Sequence, residues 1–189
     1  GSAIGLFEND QVKPAGGFGF YSLNLNQIYN PTAKGMEQWS ALLPKQPQEE
    51  GQEDGLYYLG AGILLFSMIL FLRVISLAAF SPHQRAALWQ KAKILASKYF
   101  ILLITCLLLL LFALSNRITW NQTVIAAYPL PDRVVSMFNI FRSSGRFFTV
   151  IYYLWFLTVI IGIFRFFKKR KNIVLFVLLI IQICDMAPA

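Results

Sequence analysis

The residues best suited to chemistry form one short stretch, Phe141-Arg142-Ser143-Ser144-Gly145-Arg146-Phe147-Phe148, at the mouth of a long apolar run. Arginine offers forked donors that match phosphate oxygens. Ser143, Ser144 and Gly145 fall where a membrane helix would begin, and backbone N–H groups at a helix start point outward and attract anions. Arg142, Ser143, Ser144, Gly145 and Arg146 therefore read as a seat for a phosphate or pyrophosphate at the membrane surface. The plainer readings are generic headgroup binding or pairing with Asp132.

Two further groups are candidates for a sugar or acceptor loop. Glu53 and Asp54 precede the first apolar run and are followed by Gly55 and the pair Tyr57-Tyr58. Carboxylates there would bind sugar hydroxyls, a metal or an arginine, or would simply be solvated. Tyr21, Asn24 and Trp39 belong to an aromatic, amide-rich segment, Phe18 to Leu25 with Asn30-Pro31 and Trp39-Ser40 beyond. Aromatic rings stack on apolar sugar faces and amides bond hydroxyls. The same residues equally suit a loop packed on its own rings. A divalent cation is the one cofactor this pattern leaves room for. His83 is the single histidine, and Cys106 and Cys184 lie in apolar runs, which predicts small buried residues. There is no GxGxxG, P-loop, nucleophile elbow or HExxH motif.

The elements that must position these residues are set by charge. The chain carries 17 Lys and Arg against 9 Asp and Glu. Two basic clusters, from Arg85 to Lys98 and from Arg165 to Lys171, contain no acid. The acids are Glu8, Asp10, Glu37, Glu49, Glu50, Glu53, Asp54, Asp132 and Asp185, all in other segments. Short Lys- and Arg-rich loops stay on the cytoplasmic side of a bilayer. The clusters separate apolar runs at about 57–80, 99–114, 147–164 and 173–184, the last ending at Asp185. Charged residues make up 14% of the chain and mean hydropathy is +0.56, against about a quarter charged in a soluble domain. Nucleic acid is a poor partner for this net charge, because each cluster abuts an apolar run where anionic lipid explains it.

These features predict an all-α membrane protein with four transmembrane helices and both ends outside. Residues 1–56 form a large irregular extracytoplasmic N-terminal loop, and residues 57–189 the transmembrane region. The second outer loop, 115–146, holds an amphipathic helix that Asp132 caps and that starts near Arg133, with Val134, Val135, Met137, Phe138 and Phe141 on one face. Leu88 and Trp89 let a short inner helix lie on the membrane. Arg73 either snorkels to headgroups or pairs with a carboxylate or lipid phosphate. An outer loop ahead of the first span needs something upstream to carry it across, so the chain reads as a fragment with upstream helices as partners.

Read together, Gly17-Phe18-Gly19-Phe20-Tyr21-Ser22-Leu23-Asn24-Leu25, Asn30-Pro31, Trp39-Ser40, Gly51-Gln52-Glu53-Asp54-Gly55-Leu56-Tyr57-Tyr58-Leu59-Gly60 and the Phe141 to Phe148 stretch resemble a family of bacterial polytopic membrane proteins similar to GT-C class glycosyltransferases. The match covers most of the chain and corresponds to the later part of a family member, with Asp54 where Glu is expected. The resemblance implies an inner-membrane, multi-pass enzyme that takes a sugar from a polyprenyl-phosphate carrier at the outer face. It implies a catalytic carboxylate upstream of this sequence, with Arg142 and Arg146 as carrier-phosphate ligands. Two other functions use the same features: a transporter or flippase for a lipid-linked or anionic substrate, and a non-catalytic assembly or sensor subunit whose outer loop binds a protein.

Overall fold

In lipid, a backbone can satisfy its polar groups locally only as a helix, and the apolar runs of this chain do so. The computed structural model describes residues 17–32, 39–48, 51–52, 57–80 and 82–186. It is mostly helical, with α1 (Gly17–Phe20), α2 (Ala61–Phe80), α3 (Pro82–Lys98), α4 (Phe100–Leu114), α5 (Asp132–Phe138), α6 (Thr149–Phe166) and α7 (Lys171–Met186). Two small sheets join them: β1 (Pro31–Thr32) pairs in parallel with β2 (Gln46–Pro47), and β3 (Arg117–Trp120) pairs antiparallel with β4 (Thr123–Ala127).

Two helical units are long and apolar enough to cross a bilayer, α2 and the Gly145–Phe166 unit made of a 3-10 turn running into α6. A third candidate arises if α3 and α4, bent by 81° at Tyr99, count as one span. This is coarser than the four crossings the sequence suggested. The reason is length: α4 has 15 residues and α7 has 16, or about 22 and 24 Å at the helical rise, while a span needs about 20 residues.

Other boundaries also moved. The first long helix starts at Ala61 and not near Tyr57, because Gly60 takes a φ of +87°, a left-handed conformation that glycine adopts readily and that ends the extended segment before it. The loop over 115–146 holds a β-hairpin besides its helix, so the chain is not purely α. Asn121 turns the hairpin at φ +53°, which asparagine tolerates better than most residues. A short helix, α5, stands where the amphipathic helix is expected, with Pro131 at its N-cap, Asp132 in its first turn and Phe141 beyond its end. It packs on the bundle end, with the Phe138 ring 4.9 Å from Phe18 and 5.2 Å from Phe112.

The buried core falls into two clusters. Leu59, Ile63, Phe66, Val159 and Ile163 hold α2 against α6, with Val174, Leu175 and Leu178 of α7 packed on them. Leu23, Tyr57, Ala113, Leu114 and Phe148 form a second cluster where the loops meet the helix ends. Arg73, near the far end of α2, lies 5.1 Å from the Phe166 ring of α6, so its charge is held over an aromatic face.

Candidate functional site

The Phe141 to Phe148 stretch and the Phe18 to Leu25 stretch, separate in sequence, pack directly on each other. Gly17 makes this approach feasible: a Cβ there would lie 2.8 Å from the Arg142 carbonyl oxygen and 2.9 Å from that of Phe141. The Phe18 N–H donates to Asn139 Oδ1 at 3.1 Å. Around Phe112 of α4, the rings of Phe18, Phe138, Phe141 and Phe147 sit at centroid distances of 4.8 to 5.6 Å. Such edge-on and tilted contacts add to the burial of the rings.

This packing decides where the donors of the expected phosphate seat point. The Gly145 N–H donates to the Tyr21 carbonyl oxygen at 2.9 Å. The hydroxyls of Ser143 and Ser144 lie 3.4 Å from the same oxygen. Ser143, Ser144 and Gly145 are buried, while Arg142 and Arg146 are exposed. The three small residues thus serve a carbonyl of the chain itself, and the two arginines carry the outward-facing positive charge.

Asn24 and its neighbours form a buried amide network. Asn24 Nδ2 donates to Gln52 Oε1 and to the Asn121 carbonyl, both at 2.7 Å. Gln52 Nε2 donates to Thr119 Oγ1 at 2.7 Å, and Gln27 Nε2 to the Gln52 carbonyl at 2.9 Å. Asn26 bonds the Asn121 side chain. Asn24 is 1% exposed and Thr119 0%. Buried polar groups are costly unless paired, so this network fastens the N-terminal loop to the β3–β4 hairpin. Tyr21 is half-buried beside it. Glu53 and Asp54 lie outside the described residues.

Trp39 stands elsewhere, at the rim of a cleft of about 550 Å³ between α2, α6 and α7. Tyr57, Tyr58, Tyr152 and Tyr153 line its end nearest the loops, with Thr149. Phe156, Ile160, Ile163, Leu175 and Leu178 continue it along the helices as an apolar trough. The Tyr57 hydroxyl donates to the Gly145 carbonyl at 3.2 Å and lies 2.7 Å from Thr149 Oγ1. Burial pushes the Tyr57 pKa up, and Thr149 and the Arg146 charge oppose that rise. Arg146 is therefore close enough to act electrostatically on the cleft's rim. Gln182 also lines the cleft. Its Oε1 is buried and has no hydrogen-bond donor among the described residues.

One residue carries more than its position at the end of an apolar run suggested. Asp185 is 0% exposed. Its carboxylate accepts from the hydroxyls of Ser40 and Tyr58 and from the Ala61 N–H at 3.0 Å. Its carbonyl accepts from the Ala41 N–H at 2.8 Å. Burial, and then the adjoining Asp185, push the Tyr58 pKa well above its ordinary value. Asp185 thus ties α7, the start of α2 and the loop bearing Trp39 into one corner beside the cleft. The sequence signal was an acid closing an apolar run, with Trp39-Ser40 and Tyr57-Tyr58 already conspicuous. Among the described residues, no three His, Cys, Asp or Glu side chains group as metal ligands.

The chain matches the family described as Domain of unknown function (DUF6311) over residues 1–187, and it belongs to that family. No curated protein and no solved structure matches it.

Proposed function

We propose that this member of the DUF6311 family is part of an integral-membrane glycosyltransferase of the GT-C-like kind, acting on a polyprenyl-phosphate-linked sugar at the outer face of a bacterial inner membrane. In this reading α4 and α7 cross the bilayer beside α2 and α6, giving four crossings with the loops before α2 and after α4 outside. The supporting observation is the cleft. An apolar trough along α6 and α7 suits a polyprenyl chain. Its loop end, lined by Trp39, the tyrosines and Thr149, suits a polar head. Arg146, whose carbonyl accepts from the rim residue Thr149, supplies positive charge beside the cleft for the carrier phosphate, and Arg142 adds to the field.

The test uses the full-length membrane protein and a polyprenyl-phosphate-sugar. A hydrogen bond to a charged group contributes about 1.5–3 kcal/mol, so Arg146→Ala should weaken binding roughly 10- to 100-fold. Arg142→Ala should act more weakly. Unchanged binding in both variants removes the phosphate assignment. Loss of transfer with normal binding would move the arginines into the chemical step.

A further inference from the structure

A second cleft lies at the opposite end of α2, independent of the site above. It has a volume of about 650 Å³ and sits between the end of α2 and α3. Val74 and Ala78 contribute one wall. Pro82, Arg85, Ala86, Trp89 and Ala92, at a spacing that places them on one helix face, line the other together with Leu88. Apart from Arg85 the lining is apolar or aromatic.

The charge around this cleft has one sign. Arg85 sits one turn before Trp89 and Lys93 one turn after it. The Lys93 ammonium lies 5.5 Å from the Trp89 ring centroid, and Lys98 stands 5.3 Å from the Tyr99 ring. No Asp or Glu occurs from residue 55 to residue 131. None of the side chains of α3 is buried, and Trp89 is 65% exposed.

The elbow gives this face its setting. α4 is apolar throughout except for Thr105 and Cys106. With α4 along the bilayer normal, the 81° bend at Tyr99 lays α3 close to the membrane plane. Its lysines and arginine then stand at headgroup level, where tryptophan also favours the interface. Basic residues at that depth attract anionic lipid.

We infer that the α2–α3 elbow is a binding site for an anionic phospholipid, with one acyl chain in the cleft over Val74 and Ala78 and the phosphate between Arg85 and Lys93. The occupant is fixed by two observations together. A neutral lipid would leave the unopposed charges unmet, and a soluble anion would leave the apolar lining bare.

The experiment measures lipid retention by the full-length protein in neutral detergent, with phosphatidylglycerol and phosphatidylcholine as probes. The wild type should prefer phosphatidylglycerol. The pair Arg85→Gln and Lys93→Gln should lose about thirty-fold in affinity for it. These side chains are exposed, so the fold should survive. Ala78→Phe, which fills the cleft and keeps the charges, should also reduce retention. Lys168→Gln with Lys169→Gln, in the other basic cluster, should leave it unchanged. Equal retention of both lipids overturns the site. So does an undiminished preference in the Arg85 and Lys93 pair. Normal retention by Ala78→Phe would reduce the elbow to a charged surface and would equally overturn it.

Discussion

Replacing Asp185 with alanine should destabilise the protein more than any other single change at the loop end of the bundle. The substitution leaves the Ser40 hydroxyl, the Tyr58 hydroxyl and the Ala61 N–H without their acceptor. An unsatisfied buried donor costs about 1–3 kcal/mol. Ala61 is only half-buried and water can serve its N–H, which keeps the sum near the lower end, about 3–5 kcal/mol. Asp185→Asn preserves shape and one oxygen. Its amide donates where the carboxylate accepted, but hydroxyls rotate and can accept in turn. It should cost about 1–2 kcal/mol. Tyr58→Phe removes one donor, and its coupling to Asp185→Ala should reach about 1.5–3 kcal/mol. The assay is reversible unfolding of the full-length protein in mixed micelles titrated with a denaturing detergent, followed by tryptophan fluorescence. A cost below about 1 kcal/mol for Asp185→Ala would refute the reasoning. Strict additivity of the two changes, within about 0.5 kcal/mol, would refute the pairing.

Three other outcomes are expected. Gly17→Ala would put a methyl 2.8 Å from a backbone oxygen that cannot swing aside; it should lower stability by about 1–3 kcal/mol in the same assay, and a neutral result would contradict the close packing of the two loop motifs. Tyr58 has its pKa raised above 10.0 in the fold, so the folded state keeps a proton that the unfolded state releases near pH 10. Its contribution is complete below that pH and declines as pH rises further; melting curves from pH 8 to 11 should steepen in their decline above 10, and Tyr58→Phe should flatten that decline. With Cys106 and Cys184 replaced by alanine, Arg142→Cys should react with a membrane-impermeant maleimide in intact cells; reaction only after lysis would invert the assigned topology.

Much of the helical frame was legible because long apolar runs admit one backbone solution in lipid. Their ends were less so. Gly60 terminates the extended approach to α2 through its φ, a choice composition does not reveal. The β3–β4 hairpin has a visible signal, the β-branched residues Ile118, Thr119, Thr123, Val124 and Ile125 on either side of Asn121, which the arginine motif later in the same loop overshadows. The inward orientation of Ser143, Ser144 and Gly145 depends on a carbonyl over 120 residues away, so helix-start logic alone pointed their donors outward. Asn24 looked like a sugar ligand for its chemistry, and its actual partners, Gln52 and Asn121, are 28 and 97 residues distant. Asp185 read as a boundary because nothing local shows that Ser40 and Tyr58 converge on it. The cleft, too, is assembled from four separate segments and has no linear trace.

The span between Ser40 and Asp185 sets a clock on biogenesis. They are 145 residues apart, so a ribosome moving at roughly 5–20 residues per second delivers the aspartate about 7–29 s after the serine. Thr119 follows Gln52 by 67 residues, an interval of about 3–13 s at the same pace. Until the hairpin emerges, Gln52 Nε2 lacks Thr119 and Asn24 Nδ2 lacks the Asn121 carbonyl, and until α7 arrives the Ser40 hydroxyl lacks Asp185. The nascent loop therefore passes through a window of protease sensitivity that closes in two stages, first when the hairpin emerges and then when α7 arrives.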